Sequence, residues 1–112
     1  MAGFSFKNLG TVNQLAAPGA GAAIVPAVTI KRAGILHITC SVDTATTVAL
    51  KVDDGTTAHE LDLNGGVALL TLTTYVWPVP VLSGYTYTLV IKTGATDSTI
   101  PHANLMLETV VG

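Results

Sequence analysis

The residues that could do chemistry in this chain are few: His37, His59, His102, the lone Cys40, five aspartates and two glutamates. Neither His37 nor His59 is followed by a second donor two or four residues on, the spacing by which one element offers a metal two ligands. Cys40 lies between Thr39 and Ser41 on an alternating apolar stretch, so it reads as a small core residue and not as a nucleophile. Being alone, it excludes an intrachain disulfide and a cysteine-rich zinc site. Asp53-Asp54-Gly55, with Glu60 and Asp62 nearby, lacks the spacing and distal glutamate of a calcium loop, and reads as a turn capped by its own aspartate. Glu60 and Asp62 share one face of a short strand. Glycoside hydrolysis would need them in a common cleft, whereas on an edge strand they guard against unwanted pairing. No serine occupies a nucleophile elbow, and no glycine-rich loop is framed by a strand and a helix. The sequence therefore predicts no enzyme, no cofactor and no metal site.

The elements that carry these residues read as all-β. Valine and threonine together make up about a quarter of the 112 residues, and both favour strands. Ile35 to Val42 alternates cleanly, with Leu36, Ile38, Cys40 and Val42 on one face. Thr47 to Asp53 places Val48, Leu50 and Val52 inward, and Asp54-Gly55 turns the chain. Ala58 to Leu63 forms a short strand that ends at Asn64-Gly65-Gly66. Val67 to Trp77, apolar on both sides at its start, reads as a strand buried between layers. The run Pro78-Val79-Pro80 is expected to end its pairing. Tyr85 to Lys92 and Pro101 to Val111 complete the strong candidates, separated by the polar loop 93–99. Gly10 to Ala16 and Ala23 to Arg32 are weaker ones, joined by the small-residue linker 17–21. No stretch shows capped helical periodicity. Seven to eight short strands predict a two-sheet antiparallel sandwich, jelly-roll-like, and seven strands in an immunoglobulin-like order fit about as well, although the paired cysteines and core tryptophan of true immunoglobulin domains are missing. Residues 1–9 read as an N-terminal arm and 10–112 as a single domain, a fit to the commonest domain size.

Only 11% of the residues are charged while 49% are hydrophobic, against about 25% charged in ordinary soluble domains. Something other than ions must cover this surface, and further copies of the chain are the favoured cover. Lys7, Lys31, Arg32, Lys51 and Lys92 are scattered along the sequence, which excludes the basic face of a nucleic-acid binder. The apolar run from Leu15 to Val28 is broken by Pro18, Gly19, Gly21 and Pro26 and is too short to span a bilayer, so no membrane partner is expected. Residues 1–7 lack the pattern of a secretory signal, so synthesis and assembly in a host cytoplasm are expected.

Six aromatic residues stand out as subunit-interface candidates. Phe4 and Phe6 alternate in the arm, suited to pairing with a neighbour's sheet edge. Tyr75 with Trp77, and Tyr85 with Tyr87, share faces of their strands and could form an aromatic patch, a subunit contact or a platform for sugar rings.

Gly34-Ile35-Leu36-His37-Ile38, Val42-Asp43-Thr44-Ala45-Thr46, the run from Val79 through Ser83-Gly84-Tyr85 to Tyr87, and a last strand closing the chain together resemble small virion proteins of tailed or icosahedral viruses of prokaryotes. The resemblance covers Gly34 to Gly112. It implies a capsid, decoration (cement) or fibre protein, a homotrimer or larger ring bound to a shell protein and located in the virion, with no catalytic residues to carry over. The alternatives from the same residues are a carbohydrate-binding or adhesive sandwich module, in which Trp77 is exposed, and an extracellular filament subunit, in which Phe4 and Phe6 insert into the next copy.

Overall fold

Leu36, Ile38, Cys40 and Val42 alternate with half-buried polar residues, and this pattern folds as the strand β3, Gly34–Val42, with every second side chain in the core. A computed structural model describes residues 3–13, 19, 21–92 and 101–111 of the chain. Around β3 it places β1 (Gly3–Asn13), β2 (Val28–Thr29), β4 (Val48–Asp53), β5 (Ala58–Asp62), β6 (Tyr75–Val81), β7 (Thr86–Ile91) and β8 (Pro101–Val111). Among the described residues the one helical element is a single 3-10 turn, Asn64–Gly66.

The strands form two four-stranded sheets, ordered β1-β8-β3-β6 in front and β2-β7-β4-β5 behind. All their pairings are antiparallel. First pairs with last, second with seventh, third with sixth and fourth with fifth, as if one long hairpin with β4 and β5 at its tip had been wound over itself. That order is an eight-stranded jelly roll, an all-β two-sheet sandwich. Leu36, Ile38, Leu105 and Leu107 from the front sheet meet Val48, Leu50, Leu89 and Ile91 from the back sheet in one core. Removing such side chains from water is what holds the layers together, at roughly 25 cal/mol per Å².

Two close approaches fix the front sheet. A Cβ on Gly34 would collide with the backbone carbonyl of Glu108, so only glycine lets β3 begin beside β8. In β1 the register slips between Asn8 and Gly10, a bulge in which a Gly10 Cβ would press on Val25 at 2.6 Å. Asn8 closes the bulge by accepting a hydrogen bond from Gly10 N at 3.0 Å.

Three expectations change. Val67 to Thr74 is not a strand: it is the crossover from the back sheet to β6, with a turn at Thr71–Leu72 where Leu72 has φ 58°. Leu69 alone plugs the core, while its backbone and that of Leu72 donate to Thr46 O and Val42 O. The run Pro78-Val79-Pro80 does not end pairing but lies inside β6, paired with β3. This is permitted because β6 is an edge: prolines two residues apart turn their donor-less nitrogens to the same open side, and the backbone of Trp77 before them and Val79 between them faces β3. Of the candidate at Ala23 to Arg32 only Val28–Thr29 is a strand, with an isolated bridge from Ala23 to Val90, since Pro26 interrupts the ladder. The boundary drawn after residue 9 falls inside β1. Residues 14–16, most of the linker 17–21 and the loop 93–99 lie outside the described residues.

Candidate interaction surface

The six aromatic candidates divide into two kinds. Tyr75 and Trp77 start β6 and stack with ring centroids 5.7 Å apart at 14°. Both are half-buried against the core. Leu70 N donates to Tyr75 Oη at 3.0 Å, which ties the crossover to the strand it feeds. Tyr85 and Tyr87 stack at 6.4 Å, with Tyr87 buried, and Leu82 N donates to Tyr87 Oη at 2.9 Å. The pairs belong to different sheets, and among the described residues no ring contact joins them. Each has an apolar body in the core and a phenol that latches a loop, an amphipathic use typical of tyrosine.

Phe4 and Phe6 are the opposite case. They lie on the outer face of the front sheet, 66% and 58% exposed. The alternation of β1 is inverted: Phe4 and Phe6 face out, while Ser5 and Lys7 share the inward side with Leu107 and Thr109 opposite them. Across the sheet, Phe6 stands in a row with Glu108, Ile35 and Pro80, and the next row is Asn8, Met106, His37 and Pro78. His37 Nε2 donates to Glu108 Oε1 at 2.7 Å, and the Phe6 ring leans toward His37 with centroids 6.2 Å apart. This half of the face is therefore apolar around one paired charge. The other half is polar: Asn104 Nδ2 donates to Thr11 Oγ1 at 2.7 Å and to Asn8 Oδ1 at 3.1 Å.

Sequence reasoning missed a second apolar region. Val67, Leu70 and Leu72 on the crossover are exposed, Leu72 at 82%, as is Val76 of the strand that follows, β6. Their signal in the sequence is the apolar run from Val67, a pattern that equally predicts a buried strand. It also missed a gathering of charge. Lys7, Lys31 and Arg32, far apart in the sequence, line one cleft of about 280 Å³ where the β1 and β2 edges meet.

Among the described residues no three His, Cys, Asp or Glu side chains group to hold a metal ion, and no buried side-chain polar atom lacks a partner. Burial pushes the Cys40 thiol up to about 12, away from the reactive thiolate. Asp54 accepts from Thr56 N and Thr57 N at 2.8 Å each, and these backbone hydrogen bonds, that of Thr57 foremost, hold its carboxyl below the usual range. That is a turn cap, not a base. No described helix is long and apolar enough to cross a membrane. In comparisons with known proteins, no family model, no curated protein and no solved structure matches the chain.

Proposed function

We propose that this jelly roll is a non-enzymatic, self-assembling structural subunit of a virus particle, in the role of a decoration (cement) or other small virion protein. The observation that carries the reading is where the exposed apolar side chains lie. Phe4 and Phe6 sit on β1 at one edge of the front sheet, and Val67, Leu70 and Leu72 sit on the crossover leading to β6 at the other. Scattered surface apolar residues need no explanation, but grouped ones mark contact sites. Two different patches suit a ring, in which each copy offers one patch to each neighbour. The scarcity of charge supports the same reading, because a neutral face costs little to desolvate. The fold alone does not choose, since jelly rolls also serve lectins and cupins.

Native mass measurement of the purified protein from micromolar to millimolar concentration tests the proposal, with a closed trimer or larger ring expected. A monomer at the highest concentration, with no affinity for an assembled shell, overturns it. In the sugar-binding reading Trp77 would stack against a glycan. Its half-buried place against Tyr75 favours a structural role, and Trp77 fluorescence should not respond to glycans.

A further inference from the structure

Three of the five cations of the chain line the cleft between the β1 and β2 edges: Lys7 from β1, and Lys31 and Arg32 from the turn after β2. Among the described residues none of the three makes an ion pair, in contrast to Lys92, which holds Asp62 at 2.9 Å. No described carboxylate lines the cleft. Four of the acids, Asp53, Asp54, Glu60 and Asp62, lie on or beside the β4–β5 hairpin, and β5 is the far edge of the back sheet from β2. Three like charges around one small space repel one another unless an anion joins them.

The backbone that presents them is fixed. Ile30 N donates to Tyr85 O at 2.9 Å, Gly84 N donates to Ile30 O at 2.7 Å, and Ser83 Oγ donates to Lys31 O at 2.9 Å. The Ile30–Arg32 turn is thus riveted to the Leu82–Tyr85 turn before any ligand arrives, and a preorganised site loses less entropy on binding. Ser5, Thr29 and Thr109 line the same cleft, the Thr29 hydroxyl being bonded to that of Thr86 at 3.0 Å, and the half-buried Leu9 with the edges of Ile30 and Leu107 supplies its apolar side.

We infer that this cleft binds a phosphate monoester of a small organic molecule, with the phosphate between Lys7, Lys31 and Arg32 and the organic body against Ile30 and Leu107. A phosphate monoester carries about −1.5 to −2 charges near neutral pH. It therefore matches three cations better than a carboxylate does. The guanidinium fork of Arg32 offers two parallel donors to such a group, and the lysines act as point charges. At about 280 Å³ the cleft is near the small end of ligand sites, so the body is no larger than a single ring. This inference does not depend on the assembly reading.

Ligand-observed NMR on the purified protein tests it at any oligomeric state, with phenyl phosphate, inorganic phosphate and benzyl alcohol as probes. Saturable 31P broadening and saturation transfer to the phenyl protons are expected at millimolar or lower phenyl phosphate, with weaker binding of inorganic phosphate and none of benzyl alcohol. Lys7→Gln and Arg32→Gln should each weaken binding about five- to tenfold, the worth of one exposed charge-assisted contact. Lys51→Gln, on the exposed part of β4, should leave it unchanged. Absence of saturable binding overturns the inference, and so does binding that survives both cleft substitutions. Equal binding of benzyl alcohol leaves only an apolar crevice. Inorganic phosphate binding as tightly as the ester removes the organic body. Loss of the signal as protein concentration rises would assign the cleft to the acidic edge of another copy.

Discussion

Replacing both Phe4 and Phe6 with threonine removes the largest apolar side chains on the outer face of the front sheet and leaves the strand able to fold. Phenylalanine offers ~200 Å², so exposures of 66% and 58% leave about 250 Å² of apolar surface per copy open to water. Complete coverage of that area by a neighbour would contribute about 6 kcal/mol, and coverage of half of it about 3 kcal/mol. Losing the smaller figure raises the dissociation constant of the assembly about 100-fold. Threonine retains the β-branched preference for strands, so the β1–β8 ladder should persist. The cost to the folded subunit should stay near the ~0.5 kcal/mol of ordinary surface changes, most of it from the lost contact between Phe6 and His37. Sedimentation velocity across a concentration series, with thermal unfolding of both proteins, reads the two effects separately. An unchanged mass distribution in a variant that still unfolds cooperatively would refute the reasoning. So would a native protein that never leaves the monomer.

Pro78→Thr with Pro80→Thr restores two donors on the open side of β6, and concentration-dependent sheet extension should follow, seen as light scattering absent from the native protein. Cys40 titrates near 12 when folded and near 9 when free. The folded state therefore keeps the proton that the unfolded state loses, and stability falls as pH rises from about 9 to 12, at up to about 1.4 kcal/mol per pH unit. Cys40→Ala should abolish that part of the alkaline loss, measured by urea unfolding at several pH values. Equal slopes in both proteins would count against a buried neutral thiol. Asp54 behaves in the opposite sense: its lowered value means that its turn stabilises above the usual carboxylate range and is lost as pH falls through the folded value. Asp54→Asn, which keeps an acceptor oxygen, should weaken the hairpin less than Asp54→Ala, as read by amide exchange at Thr56 and Thr57.

The strands with a clean period of two were legible because burial follows that period. β3 and β8 carry every second residue into the core, as Leu36 to Val42 and Ala103 to Leu107 predict. The segment from Val67 to Thr74 misleads because a buried strand and an exposed apolar crossover both read as runs apolar on two sides. Only the fold shows that Leu69 enters the core and Leu70 and Leu72 do not. The prolines of β6 misled because a single sequence does not say which strand is an edge. The charge cluster was illegible for a further reason. Lys7 meets Lys31 and Arg32 only after β1 has paired with β8, a contact that closes nearly the whole length of the chain.

The four sheet edges are treated differently, and the difference bears on what the molecule is for. β6 turns Pro78 and Pro80 outward, β5 is five exposed residues that include Glu60 and Asp62, and β2 is two residues long with Pro26 close before it. Each is a recognised way to prevent sheet-to-sheet association. β1 is protected more lightly in its described length: it has eleven residues without proline, its guards are Lys7 and one bulge between Asn8 and Gly10, and among the described residues no strand pairs with its second side. It also carries Phe4 and Phe6 outward. A monomer with no assembled state would be expected to guard its longest edge first. Here the three shorter edges are guarded by proline, exposed charge or shortness while the longest has Lys7 and one bulge beside the most exposed aromatic rings, so under the proposed assembly contact between copies is expected to begin at β1.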